Sequence, residues 1–212
     1  MTPIEYLKLG PKSEQDLIGK AKIVTQIFCG QAQSNDISPI RLLFYGPPGV
    51  GKSAACKLIA KALAKHPSDI RHVSAGQLTA DHIRDWMNDL NYYNGEWKVY
   101  WIEEVDSVNP SVAVLLLQFM DSLVDRCAFL STSNEKMSGI EDRFQSRCQT
   151  MRFERPKVDE VERFLLERWP ELGVSAHEIS EYNNGDVRAS LNDAQNELNF
   201  RKFGSSKEVN NE

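Results

Sequence analysis

Apolar positions along the chain fall into two alternating kinds of segment. Short runs such as Arg41–Tyr45 and Lys98–Ile102 are apolar almost throughout, as suits a strand buried on both faces. Between them lie longer stretches with helical spacing, and Ala55, Leu58, Ile59, Ala62 and Leu63 make one such stripe. The first 40 residues read as a lead-in with one helix, Lys20 to Gly30. A strand at Arg41 to Tyr45 then leads into a helix from Ser53 to about His66, stopped by Pro67. Next come a strand at Ile70 to Ser74, a helix over Thr79 to Leu90, and a strand at Lys98 to Ile102. Asn109-Pro110 caps a helix that runs to about Asp125, with proline in its first turn. Cys127 to Thr132 and Gln149 to Phe153 are two further strands.

Five short strands alternating with helices predict an α/β fold built on a five-stranded parallel sheet covered on both faces. From Pro156 the pattern is helical only, over Val158 to Trp169, Ala176 to Tyr182 and Asp186 to Phe203. The expected division is residues 1–155 as one α/β domain with its lead-in, and 156–203 as a small all-helical lid. Residues 204–212 are polar and expected to be a disordered tail.

Composition narrows the function classes. The chain of 212 residues is 41% hydrophobic and 26% charged, as globular proteins are. Its longest apolar run, Val112 to Leu117, is far short of the roughly 20 residues a membrane span needs. Met1-Thr2-Pro3-Ile4-Glu5 has neither a basic region nor an apolar core, so the expectation is a protein of the cell interior, cytoplasmic or nuclear, and not secreted. Cys29, Cys56, Cys127 and Cys148 are scattered with no Cys-x-x-Cys pair, which argues against a zinc site. The formal charge of −5 weakens a claim to bind nucleic acid without removing it. Arg84 is a candidate phosphate contact by position, with a solvated helix face as its plainer reading.

Gly46-Pro47-Pro48-Gly49-Val50-Gly51-Lys52-Ser53 matches the pattern Gly-x-x-x-x-Gly-Lys-[Ser/Thr]. Glycines let backbone N–H groups curl around a β-phosphate, and the helix that follows adds the positive end of its dipole. These eight residues, together with Ala54, are the expected binding site for ATP. Lys52 would reach the β- and γ-phosphates and the Ser53 hydroxyl would ligate Mg²⁺. The strand before the loop and the helix after it supply the context that the pattern needs.

The strand at Lys98 to Ile102 ends in Glu103-Glu104. An acid at the C-terminal end of a strand beside the loop lies near the metal, and its neighbour can activate water. Glu103 is therefore the second candidate Mg²⁺ ligand and Glu104 the candidate base, against the plainer reading of a solvated strand end.

With these motifs in place the chain resembles the AAA+ ATPases, and among them the small subunits of clamp loaders of the replication factor C and DNA polymerase III type. The resemblance runs over roughly Leu9 to Phe200. Residues 10–19 resemble the lead-in that contacts adenine, with Gly10 where an arginine is usual. Ile102-Glu103-Glu104-Val105-Asp106 resembles the Walker B segment, where Asp-Glu is usual, so Glu103 departs by one methylene. Ser131-Thr132-Ser133-Asn134 resembles sensor 1, which implies that Asn134 bonds the γ-phosphate or the attacking water. As plain residues they also suit a strand-end turn.

Phe144-Gln145-Ser146-Arg147-Cys148 resembles the segment whose arginine reaches a neighbouring subunit's site. That makes Arg147 the implied finger, with Arg143 in reserve. Asn184 to Asn192 resembles the sensor 2 helix start, with Arg188 directed at the γ-phosphate and Asp186 a good N-cap. The expectation from the residues at hand is a resemblance that does not extend to the collar domain of clamp-loader subunits.

The resemblance implies partners: related AAA+ subunits in a homo- or hetero-oligomer, DNA, and a replication protein such as a sliding clamp or a helicase. Two readings remain open beside ring loading. One is a helicase loader or regulatory module that remodels a protein partner. The other is a degenerate subunit, against which Lys52, Ser53, Glu104, Asn134, Arg147 and Arg188 argue.

Overall fold

The structure, a computed structural model, describes residues 1–34, 36–91, 96–134 and 142–203. It divides into two compact units. One comprises Val24–Pro47 and Lys52–Phe153; the other comprises Met1–Ile23, Pro48–Gly51 and Glu154–Glu212. A single cut at residue 155 is thus too simple. The lead-in groups with the C-terminal helices, and so does the middle of the glycine-rich loop.

In the first unit, strands β1 (Ile40–Tyr45), β2 (Ile70–Ser74), β3 (Lys98–Glu103), β4 (Cys127–Ser133) and β5 (Gln149–Arg152) form one sheet in the order β2-β3-β4-β1-β5. Every pairing is parallel. Parallel neighbours need a crossover, and helices supply it: α3 (Lys52–Leu63), α4 (Ala80–Asn91), α5 (Pro110–Asp121) and the short α6 (Asp142–Gln145). Both faces are therefore covered, which is why all seven residues of β4 are buried. On one face Ile83 and Trp86 of α4 and Leu116 and Phe119 of α5 pack on Leu43, Tyr100, Ile102 and Phe129. Tyr100 and Phe119 meet edge to face with centroids 4.8 Å apart; such a pair adds about 1 kcal/mol beyond its buried area. Helix α3 packs on β3 and β4. Asn109 accepts a bond from the Ser111 amide at 3.0 Å and, with Pro110 after it, starts α5 where expected. The helix stops at Asp121, four residues short of expectation.

The second unit holds α1 (Pro3–Leu9), the first turns of α2 (Gly19–Ala32), and α7 (Val158–Arg168), α8 (Ser175–Tyr182) and α9 (Val187–Phe203). Helix α1 corrects the expectation of a single helix in the lead-in. A reciprocal cap starts it: Thr2 Oγ1 accepts from the Glu5 amide, and the Glu5 carboxylate from the Thr2 amide. Tyr6 then packs edge to face against Phe164 at 5.8 Å and Trp169 at 6.1 Å. The Trp169 indole donates to Met1 O at 2.8 Å. Among the described residues no helix is long and apolar enough to cross a membrane. The tail expected over 204–212 lies outside the described residues.

Candidate functional site

Strand register assembles the site. Tyr45 of β1 is the partner of Ser133 of β4, so the residues that follow them, Gly46 and Asn134, leave the sheet side by side. Ile102 of β3 is the partner of Ser131, which brings Glu104 to the same edge. Lys52, at the start of α3 and only 6% exposed, turns back into this edge. Its Nζ donates to Gly46 O at 2.7 Å, to Pro47 O at 2.6 Å and to Asn134 Oδ1 at 3.0 Å. Asn134 Nδ2 in turn donates to Glu104 Oε1 at 3.3 Å. Three residues singled out separately along the chain thus form one connected line: cation, amide, carboxylate.

The backbone beneath this line is tightly constrained. Gly46 has φ +140°, and a Cβ there would lie 2.1 Å from Phe153 O. Glu104 itself adopts the left-handed conformation, φ 56° and ψ 49°, at a cost of roughly 1–2 kcal/mol for a residue with a Cβ. Its amide donates to Thr132 Oγ1 at 3.3 Å. Such strain persists only where the surroundings hold it, and it clusters at functional sites.

Glu103 is the last residue of β3, and its carboxylate lies on the α3 side of the sheet. Tyr100 and Ile102 face the core formed with α4 and α5, so alternation along β3 turns Glu103 to the opposite face; burial pushes the Cys56 thiol of α3 well up, and the Glu103 charge adds to that. Ser53 stands three residues before Cys56 on the same helix. Ser53 and Glu103 thus belong to elements on the same side of the sheet. The imidazole of His72 on β2 lies beside Glu103, Nε2 to Oε2 at 3.7 Å.

In the second unit the loop tip lies against the start of α9. Gly49 has φ +79°, and a Cβ on it would fall 2.1 Å from Asp186 Oδ1, so only glycine fits. Asp186 caps α9 by accepting from the Ala189 amide at 3.0 Å. The exposed Arg188 follows two residues later.

Arg147 is not part of the Lys52 line. Asp121 grips it with two parallel bonds, Nε to Oδ1 at 2.8 Å and Nη2 to Oδ2 at 2.9 Å, while Nη1 donates to Arg143 O at 2.6 Å. The Arg147 guanidinium holds the Asp121 carboxyl below the usual range. Arg143, on α6, lines a cavity of about 340 Å³ with Asp106, Leu116 and Phe144. Arg84 pairs with Asp81 at 2.6 Å on an exposed face of α4, as a solvated helix does.

Residues 42–155, more than half of the chain, match the ATPase family associated with various cellular activities (AAA). The chain belongs to the AAA family. Replication factor C subunit 4 of Encephalitozoon cuniculi is 25% identical over 194 residues, which are 87% of this chain and 62% of the relative. The replication factor C small subunit of Archaeoglobus fulgidus is 24% identical, and that of Natronomonas pharaonis 28%, each over 203 residues. These alignments take in 89% of this chain and 61% and 60% of the relatives. The AAA chain thus spans about three-fifths of the length of the curated relatives it matches. Its fold matches the RuvB Holliday junction branch migration motor of Thermotoga maritima with a TM-score of 0.71. There the identity is 19%, and the match covers 93% of this chain and 67% of that one. At that identity the likeness is one of fold.

The AAA family is one of ATPases by its description, which makes ATP with Mg²⁺ the ligand pair to test against the site. Two features of the sheet unit fit both: the Gly46 backbone, where a Cβ would meet Phe153 O, and an inward-turned lysine. Bound there, Mg²⁺ would neutralise charge on the β- and γ-phosphates, with Ser53 and Glu103 to hold it. Three residues around the site carried no signal of their own in the sequence. His72, which meets Glu103, and the Thr132 hydroxyl, which holds the Glu104 amide, become visible only through the strand register, and Asp121, which holds Arg147 away from that line, only through the fold.

Proposed function

We propose that this AAA domain belongs to an ATP-driven loader in DNA replication, which assembles or places a ring-shaped protein on DNA with related AAA subunits. The observation that carries this reading is the likeness to replication factor C subunits over 87–89% of the chain. In this reading Gly46, Pro47, Pro48, Gly49, Val50, Gly51 and Ala54 wrap the phosphates, and Lys52 neutralises the β- and γ-phosphates. Ser53 and Glu103 hold the metal. Glu104 takes the proton from the water that attacks the γ-phosphorus, and Asn134 fixes that carboxylate and the water together. The bond to the β–γ bridging oxygen breaks, leaving ADP and phosphate. Arg188 stabilises charge on the departing phosphoryl group, and Arg147 does the same for a neighbour's nucleotide.

A finger acting in trans requires subunits packed head to tail, which close into a ring or run on as a helix. Arg147→Ala and Lys52→Ala proteins, each inactive alone, should therefore recover part of the ATPase activity when mixed. The function itself is tested by loading. A replication clamp incubated with nicked circular DNA, this protein and its related subunits should stay on the DNA only with ATP. The net charge of −5 favours the second reading, a module that remodels a protein partner. ATPase activity indifferent to DNA and to the clamp, but raised by a helicase, would establish that reading instead.

A further inference from the structure

Glu103 stands where an aspartate is usual in this segment, and its longer side chain has one more rotatable bond to fix. A carboxylate on a longer arm needs an external hold if it is to stay aimed at one point. The structure supplies a candidate on the adjacent strand. His72 of β2 is the register partner of Trp101, and Ser74 of Glu103, so His72 and Glu103 project from the same side of neighbouring strands. The His72 ring stacks on the Trp101 ring at a centroid distance of 3.8 Å and an interplanar angle of 19°. Trp101 is itself 6% exposed and fixed in the sheet, so it sets the plane in which the imidazole lies. In that plane Nε2 comes to 3.7 Å from Glu103 Oε2, longer than a direct hydrogen bond and close enough for a polar contact that a small rotamer change completes. Both side chains keep access to solvent, at 43% and 30% exposure, so neither is locked away from an incoming ion.

We propose that His72 is a positioning residue for Glu103: held flat on Trp101, it restrains the longer acid so that one carboxylate oxygen remains aimed at the divalent cation. The proposal rests on the reading of Glu103 as a metal-bearing acid. His72 acts through the carboxylate and touches neither nucleotide nor metal. It also links the edge strand β2 to the nucleotide site, a link for which the loop motif has no residue. An aspartate at 103 is shorter by one methylene and draws the carboxylate back from His72, so the restraint belongs to the glutamate alone.

The test measures Mn²⁺ binding to the full chain with a non-hydrolysable ATP analogue, by the loss of the free-ion electron paramagnetic signal. His72→Ala should weaken Mn²⁺ roughly 10-fold, in the range expected for loss of a residue that orients a ligand. Affinity for the analogue without metal should be unchanged. His72→Gln, which keeps a donor, should recover most of the loss. In a Glu103→Asp background, His72→Ala should change Mn²⁺ affinity by less than about twofold, because the pair is already uncoupled. The proposal is overturned if His72→Ala binds Mn²⁺ like the parent protein. An equal loss in both backgrounds also overturns it, since the effect then runs through the Trp101 stack and not through Glu103. Glu103→Ala separates the two readings. If that variant keeps full Mn²⁺ affinity, the assignment of Glu103 falls and the proposal with it. If it loses affinity while His72→Ala does not, only the role of His72 is refuted.

Discussion

In the sheet unit the side chains that matter come from three distant segments. Lys52 and Asn134 are 82 residues apart and Asn134 and Glu104 are 30 apart, yet the register of three parallel strands brings them into bonding distance. In the helical unit the central residue is Tyr6, which meets Phe164 and Trp169 from the other end of the chain. No register applies there; the contact is held by ring packing, by a capped seven-residue helix and by the Trp169 bond to Met1. The first arrangement is polar and directional, so a small displacement breaks it. The second is apolar and non-directional, and it resists small displacements but depends on each large ring. Loss of a side chain in the sheet unit should therefore appear in chemistry, and loss of one in the helical unit in stability.

Lys52→Ala gives the sharpest separation. It should lower ATP hydrolysis on the order of 10³-fold, in line with removal of a preorganised charge stabiliser. Nucleotide binding should weaken severely, as titration with a fluorescent ATP analogue will show. Hydrogen exchange in α7, α8 and α9 should stay at the parent level. If those helices open as well, the two units are not independent in the sense argued here.

Tyr6→Ala is the complementary experiment. Removing this buried ring should cost about 3–5 kcal/mol, the range for large aromatic side chains. The loss should appear as faster amide exchange in α7 to α9, while amides of β1, β3 and β4 keep their protection. A uniform loss of protection across both units would merge them into one cooperative body.

Both units were only partly legible in the sequence, for different reasons. The central strands are legible nearly to the residue because a sheet covered on both faces demands apolar runs, and Ile40–Tyr45 and Lys98–Glu103 are such runs; the edge strand Ile70–Ser74, with no buried residue, carries less of that signal. Lys52 and Glu104 follow from local pattern, and Asn134 from the resemblance of its segment to sensor 1. Their mutual bonds do not, since these depend on Tyr45 meeting Ser133 and Ile102 meeting Ser131. Helix α1 is hard to read from its sequence although Thr2-Pro3-Ile4-Glu5 carries both a capping box and a first-turn proline. Seven residues are too few to form a helix without tertiary support, and that support comes from residues more than 150 positions away. Asp121 gave no signal because its meaning lies in Arg147, on a different element.

A smaller effect sharpens the account of the helical unit. Burial raises the Tyr6 phenol from 10.0 to about 12, and its hydroxyl donates to Asp16 O. A group whose folded value is raised contributes stability that is present below the unfolded value and lost as pH climbs through the folded one. The contribution of Tyr6 should therefore be complete below pH 10 and disappear toward pH 12. Tyr6→Phe should lose about 1 kcal/mol at neutral pH with the hydrogen bond. Its melting temperature should then fall less steeply than that of the parent between pH 10 and 12. An unchanged alkaline slope would show that the phenol does not report on this core.

In the proposed mechanism Glu104, tied to Lys52 through Asn134, is the group that activates water. Single-turnover hydrolysis of ATP by Glu104→Gln, measured beside ATP affinity, tests it most directly. The account predicts affinity close to that of the parent and hydrolysis slower by roughly 10²–10⁴-fold, the contribution of a positioned base. Glu103→Gln should instead shift the Mg²⁺ requirement and leave the hydrolytic step largely intact at saturating metal. A Glu104→Gln protein that hydrolyses ATP normally, with Glu103→Gln inactive at every metal concentration, would contradict the account and move the base one residue back along β3.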